Sequence, residues 1–175
     1  MMAAALSFQG CATIPEACRN VTGVSPRVVE RAGRPVVIGY DYADEASRIG
    51  HLHCLAEQGV QNAQLELALK YETGDGTPRD LQRAARLYER AAVTIPRSMT
   101  IYSPPVRLGG TGTVLFLDNP NARTGSAEAQ YRLGRMLVEG RGVARDGRRG
   151  TAMIGEAARQ GHREAQRWIR ENPDE

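Results

Sequence analysis

His51, His53 and Cys54 carry the side-chain types that bind transition metals most often, and they lie within four residues of one another. On a helix, His51 and Cys54 share a face because residues three apart are neighbours, whereas His53 points elsewhere. The sequence offers no second cluster of such ligands. We therefore expect no metal ion and no other cofactor, and we interpret His51 as a partly buried structural histidine beside a cysteine that forms a disulfide.

Other patterns with chemical potential are also weak. The glycines of residues 109–113 lack the Gly-Lys-Ser/Thr ending of a phosphate-binding loop, so they indicate a turn. Asp75 and Asp80 surround Gly76 as in part of a calcium loop, but no glutamate closes the loop at the required distance. No serine or cysteine has a companion histidine and acid in a recognisable nucleophile motif. We assign no catalytic residue.

The three cysteines point to the cell envelope. Residues 1–10 are mostly small or apolar, and the sequence Ser7-Phe8-Gln9-Gly10-Cys11 resembles the lipobox of bacterial lipoproteins. A lipid on Cys11 would leave Cys18 and Cys54 as one pair for a disulfide in an oxidising periplasm. We therefore expect an outer-membrane lipoprotein that meets the membrane only through this anchor. In the alternative interpretation the protein is cytosolic and its three thiols are small hydrophobic side chains.

The elements that carry these residues repeat along the chain. The pair Ala63-Gln64 recurs as Ala129-Gln130, and this second pair recurs at a shorter interval as Ala165-Gln166. The interval from the second pair to the third is the 36-residue period, and the longer interval from the first pair to the second therefore contains one insertion. A period of this size is typical of helical hairpins that stack on one another.

Each copy has residues that can end the first helix and begin the second helix of a helical hairpin. Glycine ends the first helix and aspartate can cap the second helix by accepting its free N–H groups. A small residue in the first helix, Ala68 or Gly134, allows a close helix crossing, while Gly147 and Gly150 weaken the second helix of the second copy. The repeat-structural positions are Gly74, Gly76, Asp80, Gly134, Gly140, Gly142 and Asp146.

This arrangement of Ala-Gln, Leu-Gly, Gly-x-Gly, Asp and Ala-Ala closely resembles the Sel-like repeat family, whose short helical hairpins are related to tetratricopeptide repeats. The clearest copy begins at residue 127. The resemblance implies an all-α, right-handed superhelix that holds protein partners together. Some cysteine-rich members have been proposed to bind or cleave β-lactams, but they carry a disulfide in each repeat, which this chain does not.

The chain divides into five segments on this basis. Residues 1–19 form the lipobox-like N-terminus, 20–43 an extended arm or tether, and 44–92 a half-repeat followed by the first full repeat. Residues 93–124 form the insertion, and 125–175 the second full repeat with a capping helix.

The helical period disappears in the insertion, where two apolar runs and a glycine-rich stretch predict two short strands around a loop. Long insertions of this kind are usually functional or disordered. We therefore expect partner contacts from this segment, in preference to a hairpin folded on its own repeats. The candidate partner-binding residues are Ile101, Tyr102, Pro104, Pro105, Leu115 and Phe116.

Composition supports a scaffold and argues against nucleic-acid binding. The 175 residues are 41% hydrophobic with only two Phe and one Trp, which suits closely packed helices. The net charge is +3, and the most basic stretch, 141–170, has only Trp168 as a stacking partner for bases. We predict a non-enzymatic adaptor for a protein or complex of the bacterial envelope, with no small-molecule ligand. The alternatives are an envelope hydrolase or a peptidoglycan- or β-lactam-binding protein, and a cytosolic regulator.

Overall fold

The fold is seen in a computed structural model that describes Cys18 and residues 21–103, 113–120 and 122–173. This part of the chain contains six helices and four strands. The chain divides into two compact units, Met1–Leu87 and Tyr88–Glu175. The elements are β1 (Val24–Arg31), β2 (Arg34–Tyr42), α1 (Glu45–Glu57), α2 (Gln61–Thr73), α3 (Leu81–Ala92), β3 (Ser98–Ser103), β4 (Thr113–Asp118), α4 (Ala127–Glu139), α5 (Gly147–Arg159) and α6 (Arg163–Glu171).

The segment 20–43, which we predicted to be an extended arm or tether, contains an antiparallel hairpin of β1 and β2. Arg31 pairs with Arg34, so only Ala32 and Gly33 connect the strands. Both connecting residues have positive φ angles, 52° and 70°, as a tight two-residue hairpin turn requires. Alanine rarely adopts this conformation, which explains why the sequence did not indicate the turn.

The first unit is tied together at α1. Asp44 caps the N-terminus of this helix, and its Oδ1 accepts a hydrogen bond from the Ser47 amide at 2.7 Å. Cys54 forms a disulfide with Cys18, with their Cα atoms 5.7 Å apart. A link across 36 residues restricts the unfolded chain and is typically worth about 2–4 kcal/mol.

The two repeated hairpins use the same turn. Gly74 and Gly140 end α2 and α4 in the left-handed conformation, with φ of 83° and 72°. Asp80 and Asp146 then accept hydrogen bonds from the amides of Arg83 and Arg149, at 2.9 and 3.0 Å. These contacts satisfy backbone groups that a helix terminus leaves without a partner.

The glutamine of each Ala-Gln pair ties its helix to the end of the preceding one. The Nε2 atoms of Gln64 and Gln166 donate to carbonyl groups eight residues earlier, those of Ala56 at 3.0 Å and Ala158 at 3.1 Å. Gln130 donates in the same way to Ala92 at 3.2 Å, but across 38 residues. The contact between Gln130 and Ala92 is therefore the same as in the other repeats, although the insertion lies between these two residues in the sequence.

The insertion is closed at its base by backbone hydrogen bonds. Ile95 and Arg123 exchange two of them, at 2.7 and 3.0 Å, and the Ser126 amide donates to the Ala91 carbonyl at 2.9 Å. Above this base, β3 and β4 pair as an antiparallel hairpin in which Ile101 lies opposite Leu115. The β-hairpin predicted for the insertion is confirmed, and α4 begins where an uninterrupted repeat would place it.

Close helix packing explains two glycines of the second repeat. A Cβ atom on Gly134 would lie 2.8 Å from the Gly150 carbonyl oxygen, and one on Gly150 would lie 2.7 Å from the Gly134 carbonyl oxygen. The backbones of α4 and α5 are thus in contact at this point. We expected Gly150 only to weaken α5, whereas it permits this approach.

The core of the second unit is built from small and aliphatic side chains. Ile154, Ala157 and Ala165 are fully buried, and Tyr131 and Trp168 pack against them. Among the described residues, none of the helices is both long and apolar enough to cross a membrane.

Candidate interaction surfaces

The β3–β4 hairpin exposes apolar side chains on both of its faces. Val114, Leu115 and Leu117 have exposed fractions of 47%, 51% and 48%. Successive strand residues point to opposite faces, so Val114 lies on one face and Leu115 and Leu117 lie on the other. Isolated two-stranded hairpins are marginally stable in water. This hairpin therefore presents an uncovered apolar surface, which we call the hairpin surface (Val114, Leu115 and Leu117).

The structure describes only part of the predicted partner-binding set. Leu115 is on the hairpin surface, and the backbone positions of Ile101, Tyr102 and Phe116 lie in the same hairpin. The side chains of those three residues, and Pro104 and Pro105 entirely, lie outside the described residues, as does the predicted lipidation site Cys11. The structure adds Val114 and Leu117, which the apolar run of residues 114–117 could have indicated.

A groove of about 610 Å³ lies in the first unit, beside the turn between α2 and α3. Both apolar and polar side chains line it. The ones that matter here are Ile49, His53, Tyr71, Pro78, Asp80 and Arg83. We call this site the α1–turn groove.

A chain of hydrogen bonds runs through the polar side of the α1–turn groove. Nη1 of Arg83 donates to the Tyr71 hydroxyl at 3.3 Å, and this hydroxyl lies 3.0 Å from Nε2 of His53. Because a guanidinium cannot accept, the Tyr71 proton is free to point at His53. The Arg83 guanidinium also lies 5.6 Å from the centre of the Tyr71 ring, within cation–π range. Tyr71 thus holds Arg83 in place, although the arginine side chain remains 59% exposed.

Lys70 occupies a separate, buried site next to the groove. Its side chain is only 6% exposed, and its Nζ lies 2.5 Å from Glu45 and 3.1 Å from Asp75. The hydrogen bond to Glu45, together with the one to Asp75, raises the pKa of Lys70. Because Asp75 is engaged by a buried cation, the turn is not arranged as a calcium loop. The charge has a structural role.

His51 and Cys54 do not form a metal site. Cys54 is bonded to Cys18, so it has no thiolate to offer. His51 is fully buried, its Nδ1 lies 3.2 Å from the Tyr42 hydroxyl, and its ring packs edge-on against Tyr40. Burial lowers the pKa of His51, which favours the neutral ring. His51 therefore connects α1 with β2.

The α1–turn groove was not predicted from the sequence. Its residues come from α1, α2, the following turn and the first turn of α3, and no local motif marks them. One signal was present, because Tyr71 occupies the position that Leu137 holds in the second copy of the repeat. Such a departure between otherwise equivalent positions indicates a side chain that the repeat itself does not require.

Comparison with known proteins identifies the repeated helical hairpins. The Sel1 repeat model matches residues 61–92 and 127–162, which are the two hairpins α2–α3 and α4–α5. No curated protein gives a significant match. The prediction of Sel-like repeats from the sequence is confirmed.

Two solved structures resemble the chain with a TM-score of 0.55 each. One is a protective antigen present in uropathogenic Escherichia coli strains that displays an SLR fold; it is 25% identical, over 75% of this chain and 22% of the antigen. The other is a Sel1 repeat protein from Oxalobacter formigenes, 27% identical over 74% of this chain and 75% of that one. The present chain thus spans about a fifth of the E. coli antigen. The predicted helical-repeat fold is confirmed.

Proposed function

We propose that this protein, which carries two Sel1 repeats over residues 61–92 and 127–162, is a non-enzymatic adaptor that binds a partner protein in the bacterial envelope. Sel1 repeat proteins are generally scaffolds for protein interactions, and the Sel1 fold is generally non-catalytic. The observation that carries the proposal is the hairpin surface. It sits on an insertion that the repeat contacts bypass, so the fold gives no reason for its apolar residues.

Burial of the hairpin surface by a partner is the proposed binding mode. Leu115 and Leu117 share one face and are each about half exposed. Covering their exposed halves is worth about 2 kcal/mol in total. That energy corresponds to roughly thirtyfold in affinity.

The test is a double substitution on this face. We expect Leu115→Ser with Leu117→Ser to reduce recovery of cross-linked partner proteins from intact cells by about thirtyfold, because the apolar contact is lost. Thermal unfolding should be nearly unchanged, since exposed side chains contribute little to stability. Quantitative mass spectrometry of the cross-linked material measures the recovery.

The matched control uses the other hairpin. Val28 and Val37 are a cross-strand pair of β1 and β2 with exposed fractions of 48% and 38%. Replacing both with serine should leave partner recovery at the wild-type level. If the wild type and both variants recovered the partner equally, or if both variants lost it equally, the hairpin surface would not be the specific binding site.

The envelope location is a second part of the proposal. It is supported by the lipobox-like sequence that ends at Cys11 and by the pairing of Cys18 with Cys54, which leaves Cys11 as the remaining cysteine. A disulfide of this kind persists in the periplasm and is rare in the cytosol. An adaptor anchored at residue 11 would be held at the inner surface of the outer membrane.

Lipidation has a direct test. The native protein should fractionate with the outer membrane and carry a lipid thioether on Cys11, and Cys11→Ser should release it from the membrane fraction. Intact-mass measurement of the membrane extract checks the modification. An unmodified Cys11 in a chain that still retains Met1 would end this part of the proposal.

A further inference from the structure

A residue that makes the same contact in both copies of the repeat is part of the turn. A residue found in only one copy is not needed for the turn. Arg79 and Arg145 are equivalent, and each donates through Nε to a carbonyl seven residues earlier, at 3.0 Å in both copies. This arginine belongs to the turn. Tyr71, by contrast, corresponds to Leu137, which is buried to the same 5% exposure. The fold therefore requires an apolar side chain at this position but does not require the hydroxyl of Tyr71.

Arg83 and Arg149 occupy equivalent positions in the two helical hairpins but make different contacts. Arg149 forms an ion pair with Glu89 on α3. Arg83, its equivalent, contacts Asp80 through Nε and Tyr71 through Nη1, and its Nη2 makes no hydrogen bond within the described residues. Tyr71 therefore orients a guanidinium whose remaining N–H groups have no hydrogen-bond partner among the described residues of the first unit.

Charge and shape define what this guanidinium can bind. Arg79 and Arg83 bring two positive charges to the groove, and Asp80, whose oxygens already bond the Arg83 amide and side chain, brings one negative charge. The excess charge is positive. Ile49 and Pro78 provide apolar lining beside it. A planar guanidinium with free N–H groups matches a carboxylate.

We propose that the α1–turn groove binds an acidic peptide segment of a partner protein, with a Glu or Asp carboxylate on Arg83 and a neighbouring apolar side chain against Ile49 and Pro78. Tyr71 is a positioning residue that holds the guanidinium. The proposal deepens the adaptor function by assigning a second contact with defined chemistry. The biological purpose of this contact rests on the proposed adaptor function. Its test is independent of that function, because the test does not involve the hairpin surface.

The experiment uses the full chain and a defined set of fluorescein-labelled ten-residue peptides. Each peptide carries one Glu and one Leu separated by one to four positions, and each has a counterpart with Gln in place of Glu. Fluorescence anisotropy gives the dissociation constants. We expect at least one Glu peptide to bind at least fivefold more tightly than its Gln counterpart.

Three variants locate the preference. Arg83→Gln should abolish it, and Tyr71→Leu, which introduces the residue of the second repeat, should reduce it severalfold while circular dichroism stays unchanged. Arg149→Gln is the matched control and should preserve the preference. If Tyr71→Leu does not fold, Tyr71→Phe removes the hydroxyl alone.

The inference is overturned if no Glu peptide is preferred, if the preference survives Arg83→Gln, or if Arg149→Gln abolishes it equally. Partner recovery through Leu115 and Leu117 is unaffected by these outcomes. A failure of the groove and a failure of the adaptor function can therefore be distinguished.

Discussion

Gly150→Ala should lower the free energy of unfolding by about 2 kcal/mol, although alanine is the better helix former. An added Cβ would lie 2.7 Å from the Gly134 carbonyl oxygen and 3.0 Å from the Val138 amide nitrogen. These are backbone atoms, which cannot rotate aside as a flexible side chain could. The helices α4 and α5 must therefore separate, and the buried contacts around Ile154 lose packing. The gain in helix propensity, about 1 kcal/mol, offsets only part of this cost.

Gly155 on the same helix provides the matched control. A Cβ on Gly155 meets nothing within 4 Å, so Gly155→Ala should raise the free energy of unfolding by about 0.5–1 kcal/mol. Urea unfolding followed by circular dichroism measures both values. If the two substitutions shifted stability in the same direction, the close contact of α4 and α5 would be wrong.

Removal of residues 93–122 should leave a folded protein, although it deletes almost the whole insertion at once. The deletion joins Ala92 to Arg123 and brings Gln130 to eight positions after Ala92, the spacing of Gln64 and Gln166 from their carbonyl partners. It also places Gly125 where the other repeat junctions have Gly59 and Gly161, whose φ angles are 81° and 90°. Glycine can adopt this left-handed conformation without strain. The shortened chain thus has a regular repeat period with no interruption.

The length of the deletion is what the prediction depends on. We expect the variant without 93–122 to unfold cooperatively within a few degrees of the wild-type midpoint. A control that lacks 93–120 leaves two extra residues and puts Gln130 out of register with Ala92, so it should be less stable by about 1–2 kcal/mol, the cost of a buried donor and acceptor left unpaired. Equal stability of the two deletions would show that the register of the Ala-Gln contact has no importance.

The repeat could be predicted because its determinants are local. Glycine at residues 74 and 140 and aspartate at residues 80 and 146 act on backbone groups within a few positions, so their types and spacing are visible in the sequence. The insertion strands were visible for a similar reason, since apolar runs between turn residues favour pairing. These are properties of short segments.

The rest depends on contacts between distant segments. The β1–β2 turn places Ala32 at a positive φ, which its residue type does not favour. The role of Gly150 becomes clear only when α4 lies against it. The α1–turn groove combines His53, Tyr71 and Arg83 from three helices, and each residue alone is unremarkable in the sequence. Only the mismatch of Tyr71 with Leu137 pointed there.

The most direct test of the adaptor account is to measure partner recovery with the deletion of 93–122. We predict that this variant, folded as judged by its cooperative unfolding, loses at least nine-tenths of the partner protein that cross-links to the wild-type chain in intact cells, as expected from losing a contact worth about 2 kcal/mol. Recovery of the partner at the wild-type level by the folded deletion variant would contradict the account.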